Sequence, residues 1–145
     1  MSDFRKLEDG IYASPQISVS DIARAKELGV SLVINNRPEG EAPDQTPGSE
    51  IEAAAHAAGM DYVAIPVTQA GFSEAQVKAM GEALAKANGP ILAYCRSGTR
   101  STFLWSLAQA SEGRNVDEIA AAAASGGYDV SPVRQLMEML AAGAG

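Results

Sequence analysis

Residues 90–101 read Pro-Ile-Leu-Ala-Tyr-Cys-Arg-Ser-Gly-Thr-Arg-Ser, and no other part of the chain constrains its architecture as tightly. Pro90 to Tyr94 is a short apolar run, the composition of a central strand covered on both faces. Gly98 interrupts the pattern, and a helix is expected from Arg100 to Glu112. Strand, tight loop and helix in direct succession form the repeating unit of a parallel α/β sheet. In such sheets ligands bind beyond the carboxyl ends of the strands. Loop amides and the positive end of the helix dipole converge there on one point.

Strand and helix patterns alternate on either side of this stretch. Ile11 to Ile17 reads as a first strand, interrupted by Pro15 and so expected at a sheet edge. Ser18 and Asp21 have capping-box spacing ahead of a short helix that ends at Gly29. Val30 to Asn35 is a β-rich run, followed by a loop over residues 37–48 punctuated by proline and glycine. Ser49 and Glu52 have capping-box spacing at the start of an Ala-rich helix that stops at Gly59. Met60 to Val67 reads as a strand. Ser73 and Gln76 open a longer helix with Val77, Met80 and Leu84 on one face and Asn88-Gly89 at its end. Two further helices are expected near Asn115 to Ser125 and Pro132 to Ala142, joined by a turn at Gly126-Gly127-Tyr128. Phe103, Trp105 and Leu107 are expected to pack the helix behind the loop, and Ala141 to Gly145 to fray. The expected product is one α/β domain over residues 1–145, with three layers and a mostly parallel central sheet.

Composition narrows the chemistry. A chain of 145 residues is long enough for a full core. Its net charge of −7 argues against a nucleic-acid partner, because phosphate backbones are held mainly by Lys and Arg. No stretch approaches the roughly 20 apolar residues needed to cross a bilayer, so no membrane association is expected. The polar start, Met1 to Gly10, does not read as a signal peptide. A single cysteine allows no internal disulfide and suits a reducing, cytoplasmic compartment. His56, the one histidine, reads as a surface partner of Glu52. One His and one Cys do not make the usual zinc site, so neither metal nor cofactor is expected.

Cys95 is the candidate nucleophile. A strand end before a helix N-terminus is where an anionic nucleophile is expected to be stabilised. Gly98 permits positive φ and keeps side chains out of the anion cradle. The cradle is expected to comprise Arg96, Ser97, Gly98, Thr99 and Ser101, with Arg100 clamping an anion through parallel hydrogen bonds. Arg37, after the strand that ends at Asn35, is a second candidate clamp. Thr68 and Gln69 are candidate neutral contacts.

This loop resembles those of two cysteine-based families. Protein tyrosine and dual-specificity phosphatases use His-Cys, five residues, then Arg, with Gly three after the Cys. Rhodanese-type sulfurtransferases use a loop shorter by one. The whole chain, from Ile11-Tyr12-x-Ser14-Pro15-Gln16 through Asn36-Arg37-Pro38 to Tyr94-Cys95-Arg96-Ser97-Gly98-Thr99-Arg100, is similar to a third group. That group is the phosphatase-like domain of beta-lactamase hydrolase-like proteins, also described as a sulfurtransferase family. The resemblance implies a dual-specificity-phosphatase-like fold and, in some relatives, fusion to a persulfide dioxygenase.

Three departures from the phosphatase pattern bear on the reaction. Ser101 stands at the position of the phosphatase arginine, with Arg100 one residue early. Tyr94 replaces the His before the Cys. Gln69, in Pro66-Val67-Thr68-Gln69, occupies the place of a catalytic Asp. A phosphate ester leaves as an alkoxide or phenoxide and is helped about 10²–10⁴-fold by a general acid. A persulfide donor leaves as a stable thiolate or sulfite and needs none. Sulfur transfer is therefore the leading expectation. Cys95 thiolate would take sulfane sulfur from thiosulfate or a persulfide and pass it to an external thiol, sulfite or cyanide, with a persulfide dioxygenase as a possible partner. A Cys95 phosphocysteine phosphatase is the alternative, with Glu39, Glu41, Asp44 or Glu74 as candidate acids. A non-enzymatic module binding persulfides or phospho-ligands is a third reading.

Overall fold

Alternate residues of the central strands serve opposite sides of the sheet. Leu32, Ile34, Ile91 and Ala93 join one apolar cluster, whereas Val33, Leu92 and Tyr94 join another. This period of two is what a strand covered on both faces requires. The computed structural model describes residues 2–68 and 70–143. Its strands are β1 (Arg5–Glu8), β2 (Ile11–Ser14), β3 (Leu32–Asn35), β4 (Asp61–Ala64) and β5 (Ile91–Tyr94). Their order across the sheet is β1-β2-β5-β3-β4, antiparallel at β1/β2 and parallel elsewhere. Helices α1 (Asp21–Glu27) and α2 (Gly48–Ala57) cover one face through Ile22, Ala25, Ile51 and Ala55. The other face carries α3 (Glu74–Lys86), α4 (Thr99–Ser111), α5 (Val116–Ser125) and α6 (Arg134–Gly143). A single 3₁₀ turn, Ser131–Val133, leads into α6. The domain is a three-layer α/β sandwich with a mostly parallel sheet.

Strand β5 lies at the centre, and Trp105 and Leu107 of α4 are buried behind it, as the sequence leads one to expect. The edge position assigned to the first strand is corrected. Arg5-Lys6-Leu7-Glu8 forms an additional strand outside β2, joined to it through Asp9-Gly10. Only Leu7 of that charged stretch is buried, so its pattern carries little strand signal. Pro15 lies just past the end of β2 and removes no ladder hydrogen bond.

Helix starts show the same mixture. Ser73 and Gln76 form the expected capping box: Gln76 N donates to Ser73 Oγ at 3.2 Å and Ser73 N to Gln76 Oε1 at 2.8 Å. Asp21 reaches back to Ser18 N at 2.8 Å, although Ser20 takes the cap position of α1. Ser49 and Glu52 do not cap α2. The helix begins earlier, at Gly48, whose N–H donates to Glu39 Oε1 at 2.9 Å. A Cβ on Gly48 would lie 2.6 Å from Glu39 Oε2 and 2.9 Å from Asn35 Nδ2, so a larger residue at this start would have to displace the carboxylate that accepts its N–H. Helix α6 continues through Gly143 where fraying is expected, and the last two residues lie outside the described residues.

Leu92, fully buried at the middle of β5, tests how far the central strand supports the site. Leu92→Ala is expected to lower unfolding stability by about 2–5 kcal/mol. Urea denaturation checks this, and a loss below ~1 kcal/mol would mean that the two layers close over the gap.

Candidate active site

Parallel register sets the site. Ser14 of β2 and Asn35 of β3 both pair with Tyr94 of β5, and Ala64 of β4 pairs with Asn35. All four strands therefore end at one level, and the residues that follow them gather around Cys95. Cys95 N donates to Ser14 O at 3.3 Å, and Gln16 N to Arg96 O at 3.2 Å, fastening the loop to the end of β2.

Cys95 is fully buried, and its Sγ accepts a hydrogen bond from Gly98 N at 3.1 Å. Gly98 caps the thirteen-residue helix α4 with φ +91°, a conformation that glycine adopts without strain. Thr102 Oγ1 donates to Gly98 O at 2.9 Å and closes the first turn behind it. Ser97 Oγ donates to Thr99 Oγ1 at 2.9 Å, while Thr99 N donates to Ser97 Oγ, which braces the loop internally. Arg96 is exposed beside them.

Arg100 and Arg37 meet at a single carboxylate. Arg100 Nη1 and Nη2 donate to Glu41 Oε2 and Oε1 at 2.8 and 2.7 Å, a bidentate pair. Arg37 Nε reaches the same Oε1 at 3.0 Å, and Arg37 Nη1 donates to Gln16 Oε1 at 2.9 Å. Arg100 Nη1 also donates to Val67 O at 2.7 Å in the loop after β4. Both Nη1 hydrogens and one on Nη2 are thus committed. Among the described residues, the Nε–H and the second Nη2–H donate to no oxygen or nitrogen, so this edge of the guanidinium has only the Cys95 sulfur near it. Arg100's proton is held more firmly by its hydrogen bonds to Glu41 and, to a lesser degree, by the nearby Cys95 sulfur. Hydrogen bonds from Arg100, then Arg37, lower the Glu41 carboxyl to about 2 against its burial.

The expected site residues are therefore brought together unequally. Cys95, Ser97, Gly98, Thr99 and Arg100 stand together on the loop and first turn of α4, with Arg37 linked to Arg100 through Glu41. Ser101 is buried, and its Oγ has no partner among the described residues. One residue past Arg100 is a rotation of about 100° on a helix, which explains why the two side chains part. Gln69 lies outside the described residues. Tyr94, at the phosphatase His position, is buried with its hydroxyl raised well above the ordinary tyrosine value by desolvation. Glu39 is occupied at the start of α2, and Asp44 and Glu74 are exposed. Sequence reading missed Gln16 and Tyr128, and considered Glu41 only as a proton donor. Tyr128 Oη donates to Ser97 O at 3.1 Å across a separation that no local pattern signals. A separate groove of about 590 Å³ lies between α3, α4 and α6, lined by Phe72, Val77 and Leu140 among others.

A family model for the phosphatase-like domain of beta-lactamase hydrolase-like proteins matches residues 3–112. The chain belongs to this family. A beta-lactamase hydrolase-like protein of Agrobacterium fabrum is 36% identical over 109 residues, covering 75% of this chain and 25% of its own length. The chain thus spans about a quarter of the length of the curated relatives it matches. A Neisseria meningitidis crystal structure, described as that of a candidate phosphatase, is 31% identical. It covers 97% of this chain and 99% of its own, with TM-score 0.84. Tk-PTP, solved in its active form, is 13% identical with TM-score 0.72 over 97% of each chain, a likeness of fold. The phosphatase-like domain therefore has a cysteine-phosphatase fold. Among its described residues no helix is long and apolar enough to cross a membrane.

The Glu41 network has a pH signature. A carboxyl lowered from 4.5 to about 2 contributes stability that is fully present above pH 4.5 and is lost as pH falls toward about 2. Glu41→Gln is expected to flatten the stability profile across that window, read by denaturant unfolding at a series of pH values. Superimposable slopes for the two proteins would mean that the bridged arginines gain nothing from the carboxylate.

Proposed function

We propose that this domain is a cysteine-based phosphatase that hydrolyses phosphate monoesters through a Cys95 phosphocysteine. The observation that carries the reading is the Gly98 N–H at 3.1 Å from Cys95 Sγ, at the head of α4 and beside the braced Arg100. Membership of a phosphatase-like family and likeness to phosphatase structures favour phosphate over sulfur as the transferred group.

In the first step the Cys95 thiolate attacks phosphorus, an S–P bond forms, and the P–O bond to the leaving group breaks. The amides of the loop and the edge of Arg100 near Cys95 receive the phosphoryl oxygens and stabilise charge developing on them. Water then attacks phosphorus, the S–P bond breaks, inorganic phosphate leaves with the water's oxygen and protons, and the thiolate is restored. Glu41 is kept ionised by two arginines and is a poor proton donor in this arrangement. The leaving group must then carry most of its own negative charge. Phenols ionise near pH 10, far below alkyl alcohols, so aryl phosphates such as phosphotyrosine are the favoured substrates.

That shortage of a proton donor also favours the second reading, sulfur transfer. Cys95 thiolate would attack the sulfane sulfur of thiosulfate or a persulfide and expel sulfite or a thiolate. An external thiol would then attack the outer sulfur of the Cys95 persulfide, and a persulfide dioxygenase could consume the product. Loop, arginines and cysteine keep the same roles in both reactions.

Intact mass separates them. After brief exposure to a phosphotyrosine peptide, the wild type is expected to gain one phosphoryl group and to release phosphate catalytically. Cys95→Ser should do neither, and Arg100→Lys should lower kcat by about 10²-fold or more. A gain of one sulfur atom from thiosulfate, discharged by thiol and without phosphate turnover, would establish the second reading instead. Modification without turnover would indicate a binding module.

A further inference from the structure

We infer that Tyr128 is a positioning residue: its hydroxyl holds the Ser97–Gly98 peptide plane so that Gly98 N–H faces Cys95 and the bound anion. The inference rests on the anion-cradle reading of Cys95, whichever anion the cradle takes.

In a trans peptide the C=O and N–H of one unit point in opposite directions. The Ser97–Gly98 unit is fixed at both ends. Its N–H donates to Cys95 Sγ at 3.1 Å, and its C=O accepts from Tyr128 Oη at 3.1 Å. Rotating that plane would mainly change Ser97 ψ and Gly98 φ. Glycine is as content at negative φ as at the observed +91°, so the backbone alone does not choose between the two orientations. A flipped plane would aim the Ser97 carbonyl at the sulfur and remove one N–H donor from the cradle. Tyr128 supplies the choice by rewarding the outward carbonyl.

Tyr128 is itself well placed to act as a fixed post. It is 8% exposed, and its backbone N–H donates to Ala123 O at 3.0 Å. Arg5 of β1 lies over its ring at 5.3 Å. Burial, more than the Cys95 sulfur, raises its pKa against the pull of Arg5, so the hydroxyl keeps the proton it donates. The fit is close. A Cβ on Gly98 would stand 2.0 Å from Tyr128 Oη, so the glycine is needed for the hydroxyl to reach its acceptor. Tyr128 also lies beyond the segment matched by the family model, on the turn after α5.

The test uses ¹⁵N-labelled protein and tungstate as an unreactive oxyanion, so it needs no turnover and stands even if the wild type hydrolyses no phosphate ester. Tyr128→Phe keeps the ring and removes the hydroxyl. The Gly98 amide resonance is expected to move upfield as its bond to sulfur loosens. Tungstate should bind about tenfold more weakly, the scale of one charge-assisted hydrogen bond, while resonances remote from the loop overlay the wild type. An unmoved Gly98 resonance with unchanged tungstate affinity would overturn the inference. Should the variant not fold, wild-type hydrogen exchange decides: slow exchange at Gly98 is expected, and exchange at the rate of an open loop amide would overturn it.

Discussion

Three parallel strands that end level with one another are the constraint from which the site follows. Because Ser14 and Asn35 both stand opposite Tyr94, the chain leaves β2, β3 and β5 at the same height. Gln16, Arg37 and Cys95 then emerge side by side, although they are far apart in sequence. A slip of one residue at either pairing would turn a strand's alternate side chains to the wrong layer. The two apolar clusters on opposite faces therefore enforce the register, and the register places the chemistry. Burial of Leu92 and Ile34 is in this sense a statement about where Cys95 sits.

The charges above that level are arranged economically. Arg37 and Arg100 come from different elements, and alone they would repel across a short gap. Glu41 accepts from both and fixes one edge of Arg100 while leaving the other edge near Cys95. A guanidinium held in this way loses little rotamer freedom on taking up an anion, which is the advantage of a preorganised fork over a mobile one. A chain of net charge −7 thus keeps a local positive centre. Screening over about 8 Å at physiological salt confines the effect of the remaining acidic surface.

Much of this was legible in the sequence because its signals are local. The apolar run before Cys95, the glycine three residues later and the capping pair at Ser73 and Gln76 each depend on neighbours in the chain. The sheet class and the cysteine loop follow from such signals. Strand β1 did not announce itself, since one buried leucine among charged residues has no period to detect. The start of α2 is not legible from its neighbours because its first N–H is satisfied by Glu39, from the preceding loop, rather than by Ser49. Arg100 is legible as a candidate from its place in the loop, but its pairing with Glu41 is not. The pairing of Glu41 with Arg100 crosses 59 residues, and that of Tyr128 with Ser97 crosses 31. Contacts of that kind exist only once the strands have set their register.

Glu41 also bears on which reactions the cradle can run. One carboxylate cannot both brace two arginines and protonate a departing alkoxide, because the brace depends on its negative charge. Protonating it would cancel the field that orients Arg100 at the moment the phosphoryl oxygens of the proposed reaction would need that arginine most. In either proposed reaction the site would therefore suit leaving groups that depart as anions without help, whether a phenoxide from an aryl ester or a thiolate from a persulfide. Selection between phosphorus and sulfur then falls to cradle shape. A tetrahedral phosphoryl group asks for more N–H donors around the thiolate than a single sulfur atom does. The orientation of the Ser97–Gly98 peptide, which determines whether the cradle presents a donor or an acceptor there, matters correspondingly more for phosphate.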